Sequence, residues 1–537
     1  MCGILGHLSN APLTEDKLAQ LRCQFALLTN RGPDDESSCF TDNLFFGFHR
    51  LNINGQDMDD GQPFMLEDCI TMCNGEIYNH AVLAEQHNLT ITTKSDCECI
   101  PLLYARYGFK TMVQMLEGVF AIALFDKKTK RLYLARDPVG IRPLFYCIDE
   151  SGITFASEAK ALIGAQISQL SQISQLSQIS QHCPGSYSVI DGLKIMTLKY
   201  IDLFNDPRVE DNYEMATAKI SGLLTHAVQT RCANSDRPVG AFLSGGIDSS
   251  IVAMIAKKYL PNLRTFSIGL RDSKDLTYAR IAAEAIQSYH TEVYYTVEEG
   301  IAIIPEICRI LETSDITTIR ASIPMYLLSK YIKNNTDIVV LLSGEGADEV
   351  FSGYLYNHMA PSSFDLRLDA EIRVAQLPWY DVLRADRTTA SNGLEIRVPF
   401  LCKNLIRYAF SINPDFHNPR INKIEKKILR DAFHNYANEN WQVIISRPKE
   451  AFSDGVGYSW KKGITDWAES NVSDEMMRDN GWCCPNPKTK EAYLYRSWYE
   501  SYYPETYLVP HYWMPSWADH GDDPSATVLN IHKEMIE

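Results

Sequence analysis

A cysteine stands second in the chain, directly after Met1. If Met1 is removed, Cys2 carries a thiol and a free α-amine on one residue. An amine that titrates near about 8 can act as general base for that thiol. Far downstream, two loops rich in glycine and serine each follow an apolar run. The first is Leu243-Ser244-Gly245-Gly246-Ile247-Asp248-Ser249-Ser250; the second is Ser343-Gly344-Glu345-Gly346-Ala347-Asp348-Glu349. Glycines let a backbone approach a phosphate closely, and the N–H groups opening the following helix bind the anion. The serine hydroxyls add donors, and Asp248 and Asp348 offer hard oxygen ligands for Mg²⁺. The first is not a Walker A loop, because no lysine follows at the required spacing. A single S-G-G turn usually does no more than connect a strand to a helix. Two such loops at the ends of neighbouring parallel strands would instead converge on one crevice.

Positioning these groups takes a large molecule. The 537 residues exceed what one ordinary core holds, so two large domains or three to four smaller ones are expected. With 45% hydrophobic and 22% charged residues the balance is that of a globular protein, and the net charge of −16 disfavours nucleic-acid backbone binding. The N-terminus lacks a basic and apolar leader, and no apolar stretch reaches about 18 residues. The 14 cysteines include no C-x-x-C pair, which leaves zinc ribbons unsupported and favours reduced thiols in a cytoplasmic protein.

The first 160 residues read as mixed α and β. Thr14 can cap a helix on which Leu18, Leu21, Phe25 and Leu28 recur at helical spacing. Short apolar runs at 44–48, 70–73, 119–125 and 132–135 read as strands separated by turns such as Asn54-Gly55. Residues 167–181 repeat apolar-Ser-Gln; a period of three fits neither helix nor strand and predicts an exposed insertion. Residues 202–213 look like a linker. From 214 onward apolar runs at 238–243, 265–268 and 338–342 end in Gly/Ser loops and are followed by helices, a rhythm that predicts a doubly wound parallel sheet. The last 140 residues read as helical and irregular. The expected domains are thus 2–200 and 214–537.

Around Cys2 the order Met-Cys-Gly-Ile, Arg31-Gly32-Pro33-Asp34, His49-Arg50-Leu51 and Asn74-Gly75-Glu76-Ile77-Tyr78-Asn79 closely resembles the class II glutamine amidotransferases. The resemblance implies an N-terminal-nucleophile hydrolase domain of the α+β class, an αββα sandwich. Its thiolate would attack the glutamine amide, with Asn74 and Gly75 as oxyanion hole. Arg50 would hold the α-carboxylate, Asp96 the α-ammonium, and Ile53 and Glu76 would line the pocket.

The paired loops resemble the ATP-pyrophosphatases, an α/β class in which ATP is cut to AMP and diphosphate. Further stretches, Asp315-Ile316-Thr317-Thr318-Ile319-Arg320, Gly393-Leu394-Glu395-Ile396-Arg397 and Arg447-Pro448-Lys449-Glu450, extend the similarity to the glutamine-hydrolysing asparagine synthetases of eukaryotic type. That family implies ATP as substrate and Mg²⁺ held by Asp248 and Asp348. Leu243, Ser244, Gly245, Gly246, Ser249, Ile268, Ser343 and Gly344 would surround the nucleotide. Lys449 would meet its phosphates, Thr318 and Arg320 would lie at the aspartate or intermediate site, and Glu345 would take part in the chemistry. The partners implied are aspartate, glutamine and ATP, with no nucleic acid and no membrane, and a homodimer as an option.

The chain departs from the family pattern at Asn30, Asn392 and Cys402. A carboxylate missing at 402 is expected to alter a hydrogen-bond network near the second site. Two other readings stand at this point: a relative that closes an amide internally to form a β-lactam, and a catalytically silent paralogue.

Overall fold

The protein is described by a computed structural model covering residues 1–55, 61–163, 179–435, 438–449, 458–478, 481–482, 485–504, 508, 511–517 and 522–524. It divides into two compact units. The first contains Met1–Asp202 with the short segments Asn234–Arg237 and Ala390–Glu395; the second contains Leu203–Ala233, Pro238–Thr389 and Ile396–Glu537. Two expectations therefore change. Residues 203–213, expected as a linker, belong to the second unit; Arg407 and Tyr408 bind Asp206 and Asp211 there. Two segments expected in the second unit cluster with the first, through hydrogen bonds that no periodicity announces: Asp236 N–H donates to Ile53 O, and Gly55 N–H to the Asp236 carboxylate.

Among the described residues the first unit has twelve strands. In chain order they are β1 (Gly3–Ser9), β2 (Asp35–Phe40), β3 (Leu44–Arg50), β4 (Phe64–Met65), β5 (Cys69–Ile77), β6 (Gly118–Asp126), β7 (Arg131–Arg136), β8 (Phe145–Asp149), β9 (Gly152–Ala156), β10 (Ser180–Gln181), β11 (Ser186–Asp191) and β12 (Lys194–Lys199). They form two six-stranded sheets, ordered β10-β8-β9-β1-β3-β2 and β12-β11-β7-β6-β5-β4. Ile4, Leu44 and Phe46 of one sheet pack with Ile70, Met72, Ala123 and Leu134 of the other in a shared apolar layer. The helix Glu15–Ala26 lies against β1 and β3, and the helix Cys99–Met115 buries Ile100, Leu103 and Met112 against the second sheet. Strands covered on both faces, such as β3 and β6, read as unbroken apolar runs. The edge strand β2 alternates between partly buried and exposed because one of its faces meets water. Thr14 caps the first helix by accepting from Lys17 N–H. The apolar-Ser-Gln repeat lies outside the described residues through Gln178. Its last two residues are strand, with Ser180 opposite Tyr146 and Gln181 opposite Phe145.

The second unit holds a five-stranded sheet ordered β15-β14-β13-β16-β17, from β13 (Val239–Phe242), β14 (Arg264–Gly269), β15 (Tyr289–Tyr294), β16 (Val340–Leu342) and β17 (Glu395–Arg397). β13 to β16 are parallel. The chain runs outward from β13 through β14 to β15, then returns to lay β16 on the other side of β13. The point between β13 and β16 is therefore the topological switch, where such sheets open a crevice beyond their carboxyl ends. Both Gly/Ser loops leave from these two strands. No described helix is long and apolar enough to cross a membrane.

The departure at 402 has a local explanation. Cys402 is the N-cap of the helix Lys403–Ser411, its backbone is extended, and its side chain makes no capping hydrogen bond. It is absent from the cavity wall described below. The carboxylate of the family pattern would thus cap a helix rather than serve the site, contrary to expectation. Aspartate accepts from N2 or N3 N–H groups and faces the positive end of the helix dipole. Cys402→Asp should raise the stability of the second unit by about 1 kcal/mol, seen as a higher thermal midpoint with unchanged catalytic rates.

Candidate functional site

In the first unit the carboxyl end of β3 and the middle of β5 bring the expected residues together. Cys2 N–H donates to Asn74 Oδ1 at 3.0 Å, and the Cys2 thiol lies 3.9 Å from Leu51 O. The other amide atom, Asn74 Nδ2, is buried and has no hydrogen-bond partner among the described residues. A buried donor left open beside a thiol is what an oxyanion hole requires. Gly75 follows on β5, opposite Phe120. Glu76 accepts from Asn54 Nδ2 at 2.8 Å and from Asn234 Nδ2 at 2.9 Å. Asp96 accepts from Ile77 N–H at 2.5 Å. The Arg50 guanidinium reaches the carbonyls of Asn54 and Gly55 and so holds the turn above buried Ile53. Asn234 and Asp236 buttress this pocket although no motif marks them. Asn30 sits exposed on the short helix Thr29–Arg31.

Here Met1 is attached and buried, so the α-amine is that of Met1, 3.7 Å from Glu395 Oε2, and Cys2 N is an amide. Burial pushes the Cys2 thiol above its ordinary value, and the nearby amine opposes that shift only in part.

The second site is a cavity of about 230 Å³ at the switch point of the parallel sheet. Its floor is the meeting of the two loops. A Cβ on Gly344 would stand 2.6 Å from Ser249 N and 2.8 Å from Asp248 C, so only glycine allows the second loop to lie on the first. Ser244 and Ser249 hydroxyls bond each other at 3.0 Å, and Ser343 Oγ accepts from Glu345 N–H. The helix Ile247–Tyr259 points its N-terminus at this floor. Leu243, Ser244, Gly246, Asp248, Ser249, Ile268, Ser343, Gly344, Glu345, Asp348 and Lys449 all line the cavity. Gly245 does not; it turns the loop against the Tyr278–Ala279 backbone.

Asp248 and Asp348 converge on two lysines. Lys426 Nζ lies 2.5 Å from Asp248 Oδ2 and 2.6 Å from Asp348 Oδ1; Lys449 Nζ lies 2.6 Å from Asp348 Oδ2 and 4.0 Å from Asp248 Oδ2. Burial alone would raise the Asp348 carboxyl, but the two ammoniums outweigh it and hold it far below the usual range. Lys449 is likewise held above its ordinary value by Asp348 and Asp248 against the effect of burial. Lys426 carries no sequence signal, being one of two lysines in a charged run. Also in the cavity lining, Arg384 binds Glu345 at 2.6 Å and Asp381 at 2.9 Å. Burial pushes the Glu345 carboxyl up, with Arg384 opposing and Asp381 adding to the rise. The hydroxyl of Tyr354 donates to Glu349 at 2.5 Å.

Two expected residues lie elsewhere. The helix Ile316–Asn335 turns Thr317, Ala321, Met325 and Leu328 to the cavity, one face at helical spacing. Thr318 does not line the cavity; its hydroxyl donates at 2.7 Å to Asp315, the N-cap of that helix, whose carboxylate also accepts from Thr318 N–H. Arg320 is buried in a two-pronged ion pair with Glu491 at 2.6 and 2.7 Å and also meets Asp523. Asn392 is half-buried just past the helix Asp381–Ala390 and does not line the cavity.

A family profile described as Asparagine synthase matches residues 219–372 and 365–518, and one described as Glutamine amidotransferase domain matches 1–196. Glutamine-hydrolysing asparagine synthetases from Bos taurus and Pongo abelii are each 40% identical, spanning 99% and 100% of both chains. That from Homo sapiens is 39% identical over the full length of both.

Transferring the α-amine from Met1 to Cys2 itself should favour the thiolate. Chain from which Met1 has been removed should alkylate at Cys2 with iodoacetamide at neutral pH faster than chain retaining it, because an amine on the same residue favours the thiolate. Equal rates would show that the amine does not act on the thiol.

Proposed function

The chain belongs to the asparagine synthase family, and on that premise we propose that its first unit is an αββα N-terminal-nucleophile glutaminase and its second an ATP-pyrophosphatase that activates aspartate. The overall reaction is ATP-dependent synthesis of L-asparagine from L-aspartate with L-glutamine as nitrogen donor. The observation that carries the division of labour is the presence in one chain of a cysteine beside an open amide donor and of two phosphate-type loops meeting at a sheet's switch point.

In the first unit the Cys2 thiolate attacks the side-chain amide carbon of glutamine. Asn74 Nδ2, with the Gly75 N–H, stabilises the oxyanion, because a donor already fixed and dehydrated needs no reorganisation as charge develops. Ammonia leaves, and water then releases glutamate from the thioester. Arg50 and Asp96 offer opposite charges to the α-carboxylate and α-ammonium of the substrate, and Ile53 and Glu76 complete the pocket.

In the second unit a carboxylate of aspartate is made electrophilic. Its β-oxygen attacks the α-phosphorus of ATP, diphosphate leaves, and ammonia displaces AMP from the acyl-adenylate. The loop N–H groups and the serine hydroxyls cradle the phosphates, with Leu243 and Ile268 beside the nucleotide, and Lys449 meets the departing diphosphate. Asp248 and Asp348 suit a hard divalent cation: both face one point, and Asp248 Oδ1 is buried without a hydrogen bond among the described residues. Such a cation would offset phosphate charge. Glu345, raised by burial, is suited to take the proton that ammonia sheds.

Asn74→Ala should lower glutaminase kcat by roughly 10²–10³-fold, while synthesis from added ammonium, with AMP and diphosphate as products, continues at the wild-type rate. Appearance of ADP and phosphate instead would overturn the adenylation reading. A base works only when deprotonated, so a raised Glu345 pKa moves the acid limb upward. Ammonia-dependent synthesis, measured with ammonia held constant, should fall away at a higher pH than an ordinary glutamate would give, and Glu345→Gln should remove that limb with most of the rate.

A further inference from the structure

The reading of this cavity as a nucleotide site leaves Lys426 without a role, and its surroundings are built with unusual care. Its ammonium touches both aspartates, and the residue is 1% exposed. Its stem crosses residue 353 so closely that a Cβ there would stand 1.9 Å from Lys426 Cε; Gly353 leaves that room. Its backbone takes a left-handed conformation, φ 55°, at the N-terminus of the helix Lys427–Ala432. Such a conformation in a side-chain-bearing residue persists where the surroundings over-determine it. They do so here: the preceding Glu425 is fully buried and holds His358 at 2.6 Å, and Arg430 Nε donates to Glu425 O at 2.8 Å. Backbone and stem are thus held from both sides.

The charges at this point sum to zero, two carboxylates against two ammoniums. A divalent cation arriving alone would meet the Lys426 ammonium in the position from which both carboxylates can be reached, and it would displace a buried positive charge with no anion to receive it. A triphosphate arriving with the cation changes this, because its oxygens accept the displaced ammonium. We infer that Lys426 is a positioning residue that stands in the place of the divalent cation between Asp248 and Asp348, so that the metal enters only together with a polyphosphate. Lys449 cannot fill this part: it contacts Asp348 closely but Asp248 only at 4.0 Å. The inference rests on the nucleotide reading of the cavity and adds to it an order of entry.

Mn²⁺ binding to the full-length protein, followed by electron paramagnetic resonance with and without α,β-methylene-ATP, tests it. Wild-type protein should bind Mn²⁺ at least tenfold more weakly alone than with the analogue. Lys426→Met should tighten binding of Mn²⁺ alone at least tenfold and shrink the effect of the analogue. Its thermal midpoint should be low without metal and recover with Mn²⁺, which replaces the missing cation. Lys426→Arg, keeping the charge, should stay with the wild type. A folded Lys426→Met protein that binds Mn²⁺ alone no tighter than wild type, yet still binds it with the analogue, overturns the inference and leaves the nucleotide reading intact. Wild-type protein that binds Mn²⁺ equally well without the analogue overturns it whether or not the variants fold. Absence of Mn²⁺ binding with the analogue in the wild type removes the nucleotide reading and the inference together.

Discussion

Two aspartates and two lysines meet at the ends of β13 and β16, half-buried at the cavity except for the buried Lys426, and their opposite charges offset one another. A carboxylate taken from water without a partner would protonate or unfold its surroundings, and an ammonium would fare no better. The four groups come from four separate stretches of chain: the first loop, the second loop, the residue before the helix Lys427–Ala432, and the segment after Arg447. The parallel sheet fixes the first two, because a switch point places the carboxyl ends of β13 and β16 side by side. The approach of Gly344 to Asp248 and Ser249 sets how near the aspartates come. Glu345, Arg384 and Asp381 repeat the device in the cavity lining with one fewer positive group, which leaves Glu345 raised while Asp348 is depressed.

The first unit solves a different problem. Its nucleophile needs a donor that is buried, fixed and unspent. A strand covered by a sheet on one side and a helix on the other can supply one, because water reaches neither face. Asn74 stands on such a strand, uses its carbonyl oxygen on Cys2 N–H and makes no hydrogen bond from its Nδ2 among the described residues. Arg50, which would recognise the carboxylate of an amino acid, is buried and tied to the Asn54–Gly55 turn by hydrogen bonds that fix its direction.

Much of this was legible in the residues. Apolar runs at 44–48, 70–73, 119–125 and 132–135 are strands because strands buried on both faces leave a run of apolar letters. The two loops announced themselves through glycine and serine after such runs. What escaped has physical causes. Lys426 reads as a solvated lysine because burial of a charge depends on partners distant in sequence. Thr318 and Arg320 lie on the helix that borders the cavity, yet their neighbours Thr317 and Ala321 face it; which side of a helix faces a ligand is not written in a motif. Cys402 looked like a loss at the site and is a missing helix cap. Asn234 and Asp236 belong to no motif, and their bonds to Glu76 and Gly55 arise only when the chain folds back.

That last feature bears on what counts as a module here. A gene cut after codon 202 would encode every strand of both antiparallel sheets and every residue of the amidotransferase motifs. It would omit the amide that steadies Glu76, the backbone N–H that bonds Ile53 O, and the carboxylate that meets Arg142 at 2.9 Å. The boundary drawn by sequence similarity and the boundary drawn by hydrogen bonds therefore differ. Grafting the first onto another enzyme would carry the catalytic letters without the buttress that orients them.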